Sequence, residues 1–179
     1  AFYGPKIDIQ AVNVYGKEDS ISTLQLDFNM PEKFDIKYVD VDGTEKQPYV
    51  IHRALIGSFE RFFAFLIEHH AGDFPLWLAP DQVTIIPISD KHMKYAKEVC
   101  ESLESNDIRV TLDDRGKSMQ SKIRDAEKLK VPYLAIIGDK EIETETVSIR
   151  SRLNKEIGLM KKQEFLDYLE EEIRSKKSR

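Results

Sequence analysis

A chain of 179 residues, 41% hydrophobic and 33% charged, can hold one large or two small domains with packed cores, and a net charge of −5 argues against binding nucleic acid by bulk charge. No apolar run is long enough to cross a membrane as a helix, and a single cysteine, Cys100, excludes an internal disulfide or a cysteine-rich metal site and fits a reducing cytosol. With no charged-then-apolar leader the expected location is cytoplasmic, and the opening AFYGPKID, which lacks methionine and runs straight into strand-like sequence, reads as a piece of a longer protein.

The charge is uneven. Residues 1–78 hold 7 Lys+Arg against 12 Asp+Glu, whereas residues 79–179 hold 20 of each, so any RNA would be held by a local basic patch. In chain order, residues 7–15 and 20–28 alternate apolar and polar and predict strands with one buried face. The Asp-Gly within VDVDGTEKQPYV predicts a hairpin. From Ala54 to about His70 the pattern predicts a largely buried helix carrying Leu55, Phe59, Phe62, Phe63, Leu66 and Ile67, with Gly72 as its cap. After the Pro75–Pro80 stretch the pattern changes. VTIIPI (83–88) predicts a strand covered on both faces. Ser89 then caps a helix with Met93, Ala96, Val99, Cys100 and Leu103 on one side. IRVTL, PYLAIIG and TVSIR predict three more strands, with helices over 118–130 and about 162–175. The expected fold is α/β: an antiparallel-sheet part over 1–78, then a small α/β domain over 79–179 with a mixed, largely parallel sheet.

Several residues invite chemistry. Arg61 lies among phenylalanines and either pairs with Glu60, Glu68 or another carboxylate, or faces a polyanion. His52 is either a hydrogen-bonded histidine or a metal ligand whose partners lie elsewhere. FYGPK is a turn or places Tyr3 and Lys6 at a pocket rim, and Gln25 beside Asp27 is a strand residue or a substrate-reading amide. The cluster Arg115, Lys117, Lys122, Arg124, Lys128 and Lys130 is either a solvated face or an RNA-reading surface beyond the strand ends. No G-x-G-x-x-G and no nucleophile–histidine pair is present, so the second domain reads as a binder.

AFYGPKID, TLQLDF, PYVIHRALIGSFERF, EHHAGDFPLWLAP, IRVTLDDR, KIRDAEKLKVPYLAIIGDKE and VSIRSR, in that order, resemble the C-terminal part of the threonyl-tRNA synthetases, class II ligases that charge tRNA with threonine. The resemblance implies that residues 1–78 end the catalytic domain and that 79–179 bind the anticodon. It implies that Arg61 is a catalytic residue binding ATP phosphates, and that Tyr3, Lys6, Thr23, Gln25 and Ser58 line the threonine and ATP pocket. It also implies that His52 is one of three zinc ligands, the other two lying upstream, with zinc reading the amino and hydroxyl groups of threonine. By the same resemblance, Arg115, Arg124, Glu141 and Arg150 match positions at or near the anticodon bases. Mg²⁺-ATP, threonine and threonine tRNA are the implied partners of a full-length homodimer. This 179-residue piece would bind RNA without catalysing. Two departures stand out: Ser20 replaces a glutamine that commonly touches the nucleotide, and Gly116 replaces a frequent asparagine after Arg115. The alternatives are a non-catalytic tRNA-binding or accessory protein built from a synthetase-like tail, and another class II ligase, which leaves His52 unexplained.

Overall fold

The computed structural model describes residues 4–152 and 156–176 and divides into two compact units between Gly72 and Asp73. In the first unit β1 (Lys6–Val12), β2 (Glu18–Asp27) and β5 (Val50–Ala54) form an antiparallel sheet in the order β1-β2-β5. A short helix α1 (Asn29–Lys33) and a small hairpin of β3 (Tyr38–Val39) and β4 (Glu45–Lys46) lie between β2 and β5, and α2 (Phe59–His70) follows. Asn13 turns β1 into β2 by accepting the N–H groups of Tyr15 and Lys17 with its amide oxygen.

Two expectations for the helix are corrected. It begins at Phe59 instead of Ala54, because Ala54 still pairs with Thr23 in the sheet and its carbonyl accepts the Ser22 hydroxyl at 2.9 Å. Gly57, at a φ of 61°, then turns the chain into the cap residue Ser58. Nor is the helix buried: Phe59, Phe63 and Ile67 are 67%, 58% and 52% exposed. Three strands and one twelve-residue helix are too little to enclose a core, and among the described residues of this unit only Asp27 and Pro31 are buried.

The second unit contains β6 (Val83–Pro87), a 3-10 turn (Asp90–His92), α3 (Met93–Glu104), β7 (Val110–Leu112), α4 (Met119–Lys128) and β8 (Tyr133–Ile137). It continues with α5 (Asp139–Glu143), β9 (Thr146–Ser151), β10 (Glu156–Lys161) and α6 (Lys162–Ser175). The sheet order is β10-β9-β8-β6-β7. Parallel pairing is confined to β6 with its neighbours β7 and β8, and β9 and β10 extend the sheet antiparallel. The pattern had not suggested β10: Gly158, at a φ of 115° beside a register shift, interrupts the alternation that marks a strand.

Alternation along the strands divides the core. Ile85, Ala135, Val147 and Ile149 face α3 and α6, where Leu103, Phe165 and Leu169 complete a closed cluster. On the other face Ile86, Leu134 and Ile136 pack under Ile123 and Ala126 of α4. The segment before β6 is stapled to this unit by three side chains. Arg152 pairs with Asp73 at 2.6 Å and donates to the Phe74 carbonyl, Gln82 donates to Leu76, and Arg109 donates to Trp77 and Ala79. The division therefore falls just ahead of the proline-marked stretch.

Candidate functional site

In the first unit the antiparallel register gathers the singled-out residues onto one face. Lys6 on β1 lies opposite Gln25 on β2, and Gln25 lies opposite His52 on β5, so the three form a row across the sheet. One step along the same face Asp8 lies opposite Thr23. Lys6 pairs with Asp8 at 2.7 Å, and the amide of Gln25 donates to the Thr23 hydroxyl at 3.4 Å. Hydrogen bonds from Lys6 and Thr23 hold the Asp8 carboxyl below its ordinary range.

Asp27, two residues beyond Gln25 on this face, is fully buried. Its carboxylate accepts the N–H groups of Asn29 and Met30 at 2.9 and 3.0 Å, and lies 2.9 Å from His52 Nε2. Burial pushes its pKa upward, but the Met30 N–H, the His52 ring and the Asn29 N–H outweigh that and keep it ionised. An ionised acceptor assigns the proton to His52 Nε2, so in the neutral ring Nδ1 carries the lone pair. Sequence reading missed Asp27 as the residue that orients His52. The alternation of β2 places Asp27 with Thr23 and Gln25 on its polar face, so no local signal marked it as buried. Ser58 caps α2 by accepting the Arg61 backbone N–H at 3.3 Å, which commits Ser58 to the helix end, and Arg61 is exposed. Tyr3 lies outside the described residues. Among the described residues no group of three His, Cys, Asp or Glu side chains could hold a metal, so the unit offers His52 as one donor of a set.

In the second unit α4 covers only part of its sheet face. Arg150 lies opposite Leu134 and Ser148 opposite Ile136, so both share the α4 side of the sheet, and Leu159 and Lys161 on β10 join them opposite Ser148 and Thr146. Beyond α4 this surface is open and mixes a guanidinium, hydroxyls and a 43%-exposed leucine, suited to stacking and edge hydrogen bonds with unpaired bases. Glu141, in α5 beyond the end of β8, accepts the Gly138 N–H at 2.9 Å. A Cβ on Gly138 would come within 3.0 Å of that same Glu141 oxygen. Arg124 is exposed on α4.

Arg115 is placed differently. Its guanidinium grips Asp113 with two nitrogens at 2.8 and 2.6 Å and Asp125 with a third at 2.9 Å. Asp113 is held ionised by Arg115 first, against the opposing effect of burial, and Asp125 mainly by Lys117. Lys122 is buried and donates to the carbonyls of Asp113 and Pro87. Part of the basic cluster read from the sequence thus holds the loop after β7: Lys122 is buried there, Arg115 and Lys117 are exposed but ion-paired, and Arg124, Lys128 and Lys130 are exposed on or beyond α4. Cys100 is buried, with its thiol pushed up to about 11 by burial and by Glu104, and is chemically quiet.

The family described as "Anticodon binding domain" matches residues 82–172, just over half of the chain. The chain belongs to that family. Ahead of the anticodon-binding domain, residues 1–70 match "tRNA synthetase class II core domain (G, H, P, S and T)". The chain is 49% identical over 98% of its length to the threonine–tRNA ligase of Aquifex aeolicus, and 51% identical over 97% to that of Natranaerobius thermophilus. It spans 28% and 27% of the length of those relatives. Among solved structures it is similar to the RNA binding domain of threonyl-tRNA synthetase from Cryptosporidium parvum. That match has a TM-score of 0.82 and 34% identity, and covers 96% of this chain and 44% of that one. The Giardia lamblia prolyl-tRNA synthetase shares the fold, with a TM-score of 0.77 at 20% identity, over 97% of this chain and 40% of that one.

Proposed function

We propose that this chain is part of a cytoplasmic, homodimeric threonine–tRNA ligase, in which the second unit reads the anticodon and the first contributes one wall of the threonine and ATP pocket. The observation that carries this reading is that about half of all positions match threonine–tRNA ligases across both units. The row of Lys6, Gln25 and His52 and the open face around Arg150 therefore come as the pair such a ligase needs. In the ligase, Mg²⁺-ATP and threonine form threonyl-adenylate, and the threonyl group passes to the terminal ribose of the tRNA. Arg61 is the group for the ATP phosphates, and Lys6, Thr23 and Gln25, with Tyr3, hold the substrates. His52 would be one ligand of a zinc ion, its ring oriented by the buried Asp27 as ligating histidines are by second partners. When bound, zinc supplies a Lewis-acid contact for the amino and hydroxyl groups of threonine. Arg124, Glu141 and Arg150 are the proposed base readers, and Arg115 holds the loop beside them.

The test is a titration of the chain with threonine tRNA and with an anticodon-swapped control. At least tenfold preference for the cognate RNA, lost in Arg150→Ala, is expected. Equal binding of both RNAs overturns the anticodon assignment. The isolated chain is expected to show no threonine-dependent ATP–pyrophosphate exchange.

A further inference from the structure

Beyond the ends of β6 and β8, the second unit opens a cleft of about 740 Å³. Its walls come from the start of α3, the segment after α5, and the junction of β10 with α6, which the chain visits far apart in sequence. Lys91 on its rim is tied to Asp139 at 2.6 Å. Lys94, Lys161 and Lys162 also line the cleft, and among the described residues they make no ion pair. Glu98 and Glu145 share the wall, so with Lys91 engaged by Asp139 three further lysines face two acids there. The Tyr95 hydroxyl oxygen is buried in the same wall and has no hydrogen-bond partner among the described residues. Burial, with Glu145 and Glu98 nearby, keeps that hydroxyl protonated and thus a donor.

α3 and α6, which supply much of the cleft wall, pack on the sheet face opposite α4, so the cleft meets the open face only past the end of the sheet, at Lys161. Lys161 belongs to both: it lies opposite Thr146, on the same side as Ser148 and Arg150. Four residues of strand separate Thr146 from Arg150, roughly 13 Å. Surfaces that read unpaired bases usually run beside cations that follow the backbone.

We propose that this cleft is a phosphate-binding track that takes two or three consecutive phosphates of the RNA strand whose bases meet the Arg150 face. The proposal rests on the reading of the second unit as an RNA binder, and it adds where the backbone runs. Phosphates there would occupy Lys94, Lys161 and Lys162, and one would accept the Tyr95 hydroxyl. These contacts carry no base information, so they act on every RNA alike.

The experiment compares the full chain with the K94A/K161A/K162A variant and with Tyr95→Phe, using threonine tRNA and the anticodon-swapped control over a salt series. The triple variant is expected to weaken both RNAs by the same factor, about tenfold or more. Its dependence of log Kd on log salt should flatten by about 2, the loss of some three single-strand phosphate contacts. Tyr95→Phe is expected to cost roughly fivefold for both RNAs without changing that slope. Arg150→Ala serves as the contrast, lowering discrimination. An unchanged slope in the triple variant, with discrimination intact, overturns the track and leaves the anticodon reading standing. A flattened slope without discrimination in the parent chain supports the track and overturns the anticodon reading. Absence of any RNA binding by the parent chain overturns both.

Discussion

Arg115 illustrates how a basic residue at a strand end divides its duties. Asp113 is buried, and the Arg115 guanidinium and backbone N–H, with Lys122 nearby, compensate it for leaving water, so removing it leaves two guanidinium nitrogens of Arg115 without their protein acceptor. Asp113→Ala is expected to destabilise the second unit by about 1.5–3 kcal/mol, the range for hydrogen bonds to charged groups, measured by urea unfolding at pH 7. Both Asp113 and Asp125 have carboxyls held below their ordinary values. Their contribution is therefore complete above about pH 4, the ordinary aspartate value, and is lost as pH falls through the lowered folded-state values. The gap between parent and variant should accordingly narrow in unfolding curves taken near pH 3. A gap that persists there would place the effect in packing instead of charge.

The helices show why apolar pattern and burial are different things. α2 and α6 both carry an apolar stripe that includes phenylalanine, yet Phe63 is 58% exposed and Phe165 fully buried. The pattern of α2 was legible and its partner surface was not, because a helix buries its stripe only if another layer covers it. Phe165→Ala is expected to cost about 3–5 kcal/mol, whereas Phe63→Ser in this chain should change stability by less than about 1 kcal/mol, both read from thermal or denaturant melts. A large loss for Phe63→Ser would show that α2 is packed more tightly than its exposure allows. The start of α2 was misread for a related reason: Ala54 and Leu55 continue its apolar run, but sheet pairing with Thr23 claims Ala54 first.

The two units differ in what holds them. Every buried large apolar side chain among the described residues lies beyond Gly72, from Leu76 to Leu169. The first unit is held mainly by strand hydrogen bonds and by the Asp27 cluster. Regional stability follows buried apolar contact. In native-state hydrogen exchange, amides of β1, β2 and β5 are expected to exchange well before those of β6 and β8. A polypeptide of residues 73–179 should unfold as one cooperative transition. Equal protection across both units would contradict this.

By itself the sequence determined the fold class, most strands and helices, and the family, because hydrophobic period, capping residues and stretches such as IHRALIGSFERF are local properties of the chain. Only tertiary structure decided which of these residues meet. The row of Lys6, Gln25 and His52 depends on strand register, and the pairing of His52 with Asp27 brings together residues far apart in the chain. The engagement of Arg115 by two carboxylates, and the convergence of Lys94, Lys161 and Lys162 on one cleft, likewise depend on packing. Register and packing place distant residues side by side, and no local pattern encodes that distance.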